Sequence, residues 1–353
     1  YDSFYKTSDS THHGRVKIIW QRFVDRGDIY KKSYSGNYCV GCESFKSDKE
    51  LIDGKCQDHP TTEITIVNEE NYFFKLSNYK EALSEWIESN PTFLEPKNKL
   101  DELRNLIDGS EDISISRLRK NCPWGVSVPN DDDQVIYVWF DALLNYIFAA
   151  GYLTDNFQWD NVIQLCGPDN LRFQAVIFQS FLLSEGIKNT DKLLVHGTIL
   201  DKDGRKISKS LGNVVDPIEQ LEKYGLEAVR YYALAGLNTY SNSSWDEDDL
   251  VKLWNSHIVN EWGNLLSRVL HLIDIKCNGS VTIEADKSFI DDLYKYKSEV
   301  TNLWDKFKVK DALNKTNDIV KYANKYLTDT KPWASDTYEV ELANLKELLI
   351  VVN

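Results

Sequence analysis

The run Val135-Ile136-Tyr137-Val138-Trp139-Phe140 decides the fold class. Consecutive β-branched and aromatic residues with no polar face suit a strand buried on both sides, as in a parallel sheet. Downstream the pattern alternates: a helix over 142–150, a second buried strand at Asn161–Cys166, a helix from about Asn170 to Ser184, and a third strand at Lys192–His196. That alternation belongs to a doubly wound α/β domain. Upstream, Val16, Ile18, Ile19, Phe23 and Val24 predict an amphipathic helix over 12–30, stopped at Gly27-Asp28. Residues 71–108 read as helical, with breaks at Asn90-Pro91 and Pro96, and 112–129 as loop with short strands. Beyond residue 215 the chain reads as helices: 217–224, 226–236, 246–274, 286–308, 310–327 and 338–352. Asn238–Trp245 reads as a linker, and Asp246-Glu-Asp-Asp249 puts acid at a helix start, where the dipole favours it.

Composition sets the outer bounds. A length of 353 residues calls for two or three domains, and 42% hydrophobic residues are enough for sizeable cores. Lys plus Arg total 41 against 55 Asp plus Glu, giving a net charge of −14. This argues against a general polyanion coat, because non-specific nucleic-acid binding needs clustered cations. It leaves room for a specific site with a local basic face. No apolar run reaches the ~18–20 residues of a membrane span, and no signal peptide is evident. A cytoplasmic, non-membrane protein is expected. The sequence contains no methionine and opens in mid-pattern with Tyr1, so it reads as a fragment.

Cys39, Cys42, Cys56 and His59 form C-x2-C-x13-C-x2-H. In a reducing compartment such spacing reads as metal before disulfide, with three thiolates and an imidazole meeting tetrahedrally around Zn²⁺. Gly41 and Gly54 stand where the turns of the knuckle need a small residue. Four protein ligands leave no open position for water, so the zinc is expected to be structural. Cys122, Cys166 and Cys277 lack spacing partners.

Neither G-x-G-x-x-G nor G-x-x-x-x-G-K-[ST] is present, so the phosphate element lies elsewhere. Gly204-Arg-Lys206-Ile-Ser-Lys209-Ser210-Leu-Gly-Asn213 places cations and hydroxyls between glycines, after the strand ending at His196. A loop of this kind can fold over a triphosphate and meet charge that develops in a transition state. Taken alone, a Lys/Ser loop is usually a solvated surface turn.

Lys206-Ile-Ser-Lys209-Ser210 with Leu-Gly-Asn213 and Val-Val-Asp216-Pro217 resembles the second signature of class I aminoacyl-tRNA synthetases, with Ile207 at the usual methionine. Gly27-Asp-Ile-Tyr30, Tyr38–Phe45, Glu70–Phe74, Asp112–Arg117 and Tyr137–Tyr146 each resemble the methionyl-tRNA synthetases, and the likeness runs along essentially the whole chain. The resemblance implies an α/β fold: the second half of a Rossmann-like parallel sheet with a zinc-knuckle connective insertion, followed by an all-α anticodon-binding helical bundle. The expected divisions are 1–134 for the insertion, with the knuckle at about 36–62; 135–197 for the sheet; 198–240 for the stem-contact region with the lysine loop; and 241–353 for the bundle.

It also implies a methionine–tRNA ligase that uses ATP with Mg²⁺ to form methionyl-adenylate and passes the acyl group to tRNA(Met). On that basis Lys206, Lys209 and Arg117 take catalytic roles, Lys209 on the leaving pyrophosphate. Gly167 and Asp169, with Lys209, hold ATP at a strand's carboxyl end, where such folds bind ligands. Trp139, Ala142, Leu143, Tyr146 and Gln174 line the methionine pocket. Asn264 and Arg268, four apart and hence on one helix face, read the CAU anticodon together with Trp333, which can stack a base. By pattern alone Trp139, Tyr146 and Trp333 read as core aromatics, and Asn264 with Arg268 as a surface pair.

Three departures stand out. The His-x-Gly-His signature is absent, and Thr11-His12-His13 falls in the insertion, so this polypeptide alone is expected to be inactive in adenylate formation. Pro168 replaces the family's usual lysine, and Gln174 its usual histidine. The alternatives are a synthetase-like tRNA-binding paralog, half of a split enzyme, or a class I synthetase for another amino acid.

Overall fold

A computed structural model describes residues 3–42, 44–46, 51–57, 59–208 and 212–352. Lys209, Ser210 and Leu211 of the lysine loop lie outside the described residues. The chain divides into two compact units, Tyr1–Val195 and His196–Asn353.

The first unit opens with α1 (Ser10–Asp25), capped by Asp9, whose carboxylate accepts from the Thr11 amide at 2.7 Å. It ends before Gly27, at φ +79°, so the predicted helix stops short and Ile29 starts a strand. That strand, β1 (Ile29–Cys39), continues through β2 (Ser44–Lys46) and the hairpin β3 (Leu51–Ile52) and β4 (Lys55–Cys56), to return as β5 (Ile64–Phe74). β1 and β5 pair antiparallel from Ile29↔Phe74 to Cys39↔Ile64, a long ribbon with the cysteines at its far end. The helical reading of 71–108 is therefore corrected at its start. α2 (Lys80–Ser89) is followed by β6 (Leu94–Glu95) and α3 (Leu100–Asp108).

The short strands β7 (Ile113–Ser114), β8 (Ser116–Leu118), β9 (Ser127–Val128) and β10 (Asp131–Ile136) come next. Here the decisive run needs correction. Only Val135 and Ile136 belong to a strand, β10 lies antiparallel between β8 and β9, and Val138 already opens α4 (Val138–Ala149). The run is continuously apolar because a buried strand end meets a helix whose Phe140, Leu143, Leu144 and Ile147 enter the core, while Val138 is exposed. Apolarity alone does not separate these cases.

The parallel sheet has order β11-β12-β6, with β11 (Ile163–Cys166) and β12 (Lys192–Val195) joined through a π-helical turn, Phe173–Ile177, and α5 (Phe178–Glu185). Leu94–Glu95 thus supplies its third strand from within the segment read as insertion. Phe23, Phe74, Phe140 and Phe181 are fully buried and meet at ring distances of 5.0–5.7 Å. Truncating any one to alanine costs about 3–5 kcal/mol.

The second unit starts with β13 (Ile199–Leu200), then α6 (Pro217–Tyr224) and α7 (Leu226–Tyr231). β14 (Ser243–Ser244) pairs parallel with β13. The Asn238–Trp245 segment is therefore a packed element rather than a linker: Thr239 and Ser241 crowd Gly197 so closely that a Cβ there would sit 2.0 Å from the Ser241 carbonyl oxygen. α8 (Glu247–Leu253), capped by Asp246, runs on through a π-helical stretch into α9 (Asn264–Cys277). α10 (Lys287–Asp305), α11 (Val309–Thr330) and α12 (Tyr338–Val352) complete the bundle around Leu265, Val269, Val320 and Leu345. Among the described residues no helix is long and apolar enough to cross a membrane.

Candidate functional site

At the far end of the ribbon, the ligand atoms of Cys39, Cys42, Cys56 and His59 lie within 4.8 Å of one another. Cys39 ends β1, Cys42 sits in the following turn, and the β3–β4 hairpin carries Cys56 back. That hairpin turns on Asp53-Gly54, at φ 51° and 75°, a pair suited to a two-residue loop. Gly41 is needed for another reason: a Cβ would come within 2.6 Å of the His59 ring. Cys42 Sγ lies 3.1 Å from His59 Nδ1 and 3.4 Å from Cys56 Sγ. Burial, then the hydrogen bond with Cys56, push the Cys42 thiol up to about 12. So dense a group of thiols and imidazole is a donor set for a metal ion, whose charge would offset that of the thiolates. None of the cysteines is in a disulfide.

Arg117, on β8, is buried, with its guanidinium carbon 4.0 Å from the Tyr137 ring centroid. Its Nη1 donates to Ser116 O at 2.8 Å and to Ser114 Oγ at 3.1 Å. It lines a cavity of about 530 Å³ shared with Tyr38, Cys122 and Trp124.

Trp139, Ala142 and Tyr146 fall on one face of α4 by their spacing, and Trp139 stacks on Phe173 at 4.0 Å. Leu143 is fully enclosed in the core. Gln174, in the π-helical turn, is buried and donates to Tyr146 Oη at 2.8 Å. Gly167 follows β11 at its carboxyl end, and Asp169 sits exposed in the short turn after it. Burial, then the Asp169 charge, push the neighbouring Cys166 thiol up to about 11.

Two features were missed by the sequence reading. His12 is completely buried, with Nε2 on Asp141 Oδ1 and Nδ1 3.2 Å from Tyr5 Oη, tying α1 to the first turn of α4. Behind Gln174, Gln164, Gln179, Asn189 and Thr190 form a buried polar network. Gln164 inside an apolar strand was the available signal.

In the second unit, Lys206 precedes the undescribed part of its loop. Asn213 Nδ2 donates to Lys206 O at 3.1 Å and to Asp201 at 2.8 Å, while its Oδ1 accepts from the Ser208 amide at 3.0 Å. Asn213, followed by Arg205, holds the Asp201 carboxyl well below the usual carboxylate range. Asn264 is exposed on α9, and Arg268 lies 5.9 Å from the Trp333 ring centroid. Lys331, in the left-handed region at φ 47°, ends α11, and Pro332 keeps the helix from resuming before Trp333.

The family profile described as tRNA synthetases class I (M) matches residues 1–63 and 49–270. A methionine–tRNA ligase of Caldanaerobacter subterraneus subsp. tengcongensis is 37% identical over 94% of this chain and 53% of its own length. The chloroplastic/mitochondrial methionine–tRNA ligase of Arabidopsis thaliana is 36% identical over 94% of this chain and 56% of its own. The chain spans about half the length of these curated relatives. Among solved structures, Mycobacterium tuberculosis methionyl-tRNA synthetase in complex with methionyl-adenylate aligns with a TM-score of 0.91 and 32% identity, over 100% of this chain and 73% of that one. The chain belongs to the class I tRNA synthetases, in the methionyl-tRNA synthetase family.

Proposed function

We propose that the protein carrying this chain is a methionine–tRNA ligase, activating methionine with ATP and Mg²⁺ to methionyl-adenylate and transferring the acyl group to tRNA(Met). The observation that carries this reading is the likeness, over the whole chain, to a synthetase solved with methionyl-adenylate. In the proposed reaction the methionine carboxylate attacks the α-phosphate of ATP in line, and catalysis is mostly positioning and charge stabilisation. Trp139, Ala142, Leu143, Tyr146 and Gln174 line the side-chain pocket. Gly167 and Asp169 hold the nucleotide at the strand end, in keeping with ligand sites of open α/β sheets. Arg117 supports adenylate formation, and Lys206 with Lys209 meets the departing pyrophosphate.

Cys39, Cys42, Cys56 and His59 hold a structural Zn²⁺, since three thiolates and an imidazole suit that ion and leave no open coordination position. Asn264, Arg268 and Trp333 read the anticodon, for which the neighbouring guanidinium and exposed indole offer a stacking surface. The chain has no His-x-Gly-His, so the 353-residue polypeptide by itself forms no adenylate at a useful rate.

The test is ATP–pyrophosphate exchange by the protein that carries this chain, with methionine, leucine, cysteine or no amino acid. Methionine-dependent exchange is expected; exchange with leucine or cysteine instead, or with none, rejects the reading.

A further inference from the structure

The network behind Gln174 has a direction, set by backbone groups whose hydrogen-bonding sense is fixed. The Thr190 amide can only donate, and it donates to Gln179 Oε1 at 3.0 Å. Asn189 Nδ2 donates to the same oxygen at 3.0 Å. Gln179 must then point its amide nitrogen the other way. It donates to the backbone carbonyl of Gln174, which can only accept, at 2.9 Å, and to Thr190 Oγ1 at 3.0 Å. The Thr190 hydroxyl, already an acceptor, spends its proton on Gln164 Oε1 at 2.8 Å. Gln164 Nε2 donates onward to Gln174 Oε1 at 2.9 Å, and Gln174 Nε2 to Tyr146 Oη at 2.8 Å. Backbone groups fix the Gln179 amide, and the Gln164 and Gln174 amides follow from the buried Thr190 proton, whose acceptor is Gln164 Oε1. Gln164, Gln174, Gln179 and Thr190 are all at most 6% exposed, so water does not compete for these bonds.

At the end of the path Tyr146 Oη accepts, and its own proton is left over. Among the described residues Tyr146 makes no other hydrogen bond. We infer that Thr190, Gln179 and Gln164 are positioning residues that fix the direction of the Tyr146 O–H bond, so that the α4 wall presents a donor to the amino-acid side chain. The ligand favoured is one whose side chain offers an acceptor and no competing donor at that point, as a thioether does. This rests on the proposed placing of the amino acid against α4. No member of the path other than the Tyr146 phenol is ionisable.

The test compares methionine with norleucine, its isostere lacking the sulfur acceptor, in pyrophosphate exchange by the protein that carries this chain. Tyr146→Phe and Thr190→Val are each expected to lower the methionine-over-norleucine ratio of kcat/KM about three- to fivefold, the worth of one modest hydrogen bond. Thr190→Ser, which keeps the hydroxyl, is expected to restore it. Adding Thr190→Val to Tyr146→Phe should lower the ratio no further. A purely structural role for Thr190 would weaken both substrates alike and leave the ratio unchanged. If Thr190→Val does not fold, Gln164→Met breaks the same path and should give the same drop. An unchanged ratio in Tyr146→Phe, or in the folded Thr190 or Gln164 variant, overturns the inference while the ligase reading stands. No methionine-dependent exchange by the parent protein overturns the ligase reading and the inference together.

Discussion

The metal-type cluster at the ribbon tip and the glutamine path behind α4 both hold polar groups in fixed geometry, but they gather them differently. Cys39, Cys42, Cys56 and His59 come from one short segment, brought together by a turn and a hairpin. Tyr146, Gln164, Gln174, Gln179 and Thr190 come from a helix, a strand, a π-helical turn, a second helix and the loop before β12. The first is written as spacing, which a single sequence displays. The second depends on the packing of elements far apart in sequence. Local chemistry is therefore legible early, and the support that orients it is not.

The largest effect expected from breaking the first region is loss of the zinc proposed for it. Cys56→Ser should reduce bound zinc from about one ion per chain to near none by elemental analysis, because structural zinc sites draw on the full thiolate set. Gly41→Ala sharpens the same point without removing a ligand. Its methyl meets the His59 ring at 2.6 Å, so zinc affinity measured by chelator competition should fall at least about tenfold.

Breaking the support of α4 should cost stability instead. His12→Ala removes the buried partner of Asp141 and is expected to lower unfolding free energy by about 2–3 kcal/mol in urea, leaving zinc content unchanged. A drop in zinc in that variant would show that the two regions are not independent. In the second unit, Trp333→Ala should weaken tRNA binding by about 1–3 kcal/mol, the worth of one stacked base, with pyrophosphate exchange untouched.

The smallest effect is one of pH. Lys223, then Tyr224 and Gln220, hold Glu247 down at about 2, below its ordinary 4.5. A depressed carboxyl stabilises the fold above its unfolded pKa, and that contribution is lost as pH falls from about 4.5 towards 2. The side chain is 40% exposed, so solvent screening limits the effect to under about 1 kcal/mol. Glu247→Gln should flatten acid unfolding over that window by this amount. Its place in the acidic first turn of α8 was legible from Asp246-Glu-Asp-Asp249, whereas its partners on α6 were not.

The same division runs through the fold. Most helices of the second unit follow their apolar periodicity closely, α6 and α12 residue for residue. The need for a small residue at Gly41 and Gly54 was also readable. The β1–β5 ribbon was not, because its Gly, Ser, Tyr and Asn residues carry no strong alternation and its partner strand returns after the knuckle. The Val135–Phe140 run misled for the opposite reason: strand and helix both bury there, and burial leaves no period to read. Gln174 was singled out in sequence, but only the fold connects it to Thr190.

The most direct test of the account is aminoacylation by the protein that carries this chain, with methionine and two tRNA(Met) transcripts that differ only in the anticodon, CAU or a changed triplet. The account predicts methionylation of the CAU transcript and a loss of at least about tenfold with the changed one, as direct reading of unpaired bases requires. Equal charging of both would contradict the role given to Asn264, Arg268 and Trp333. No charging of either would contradict the ligase itself.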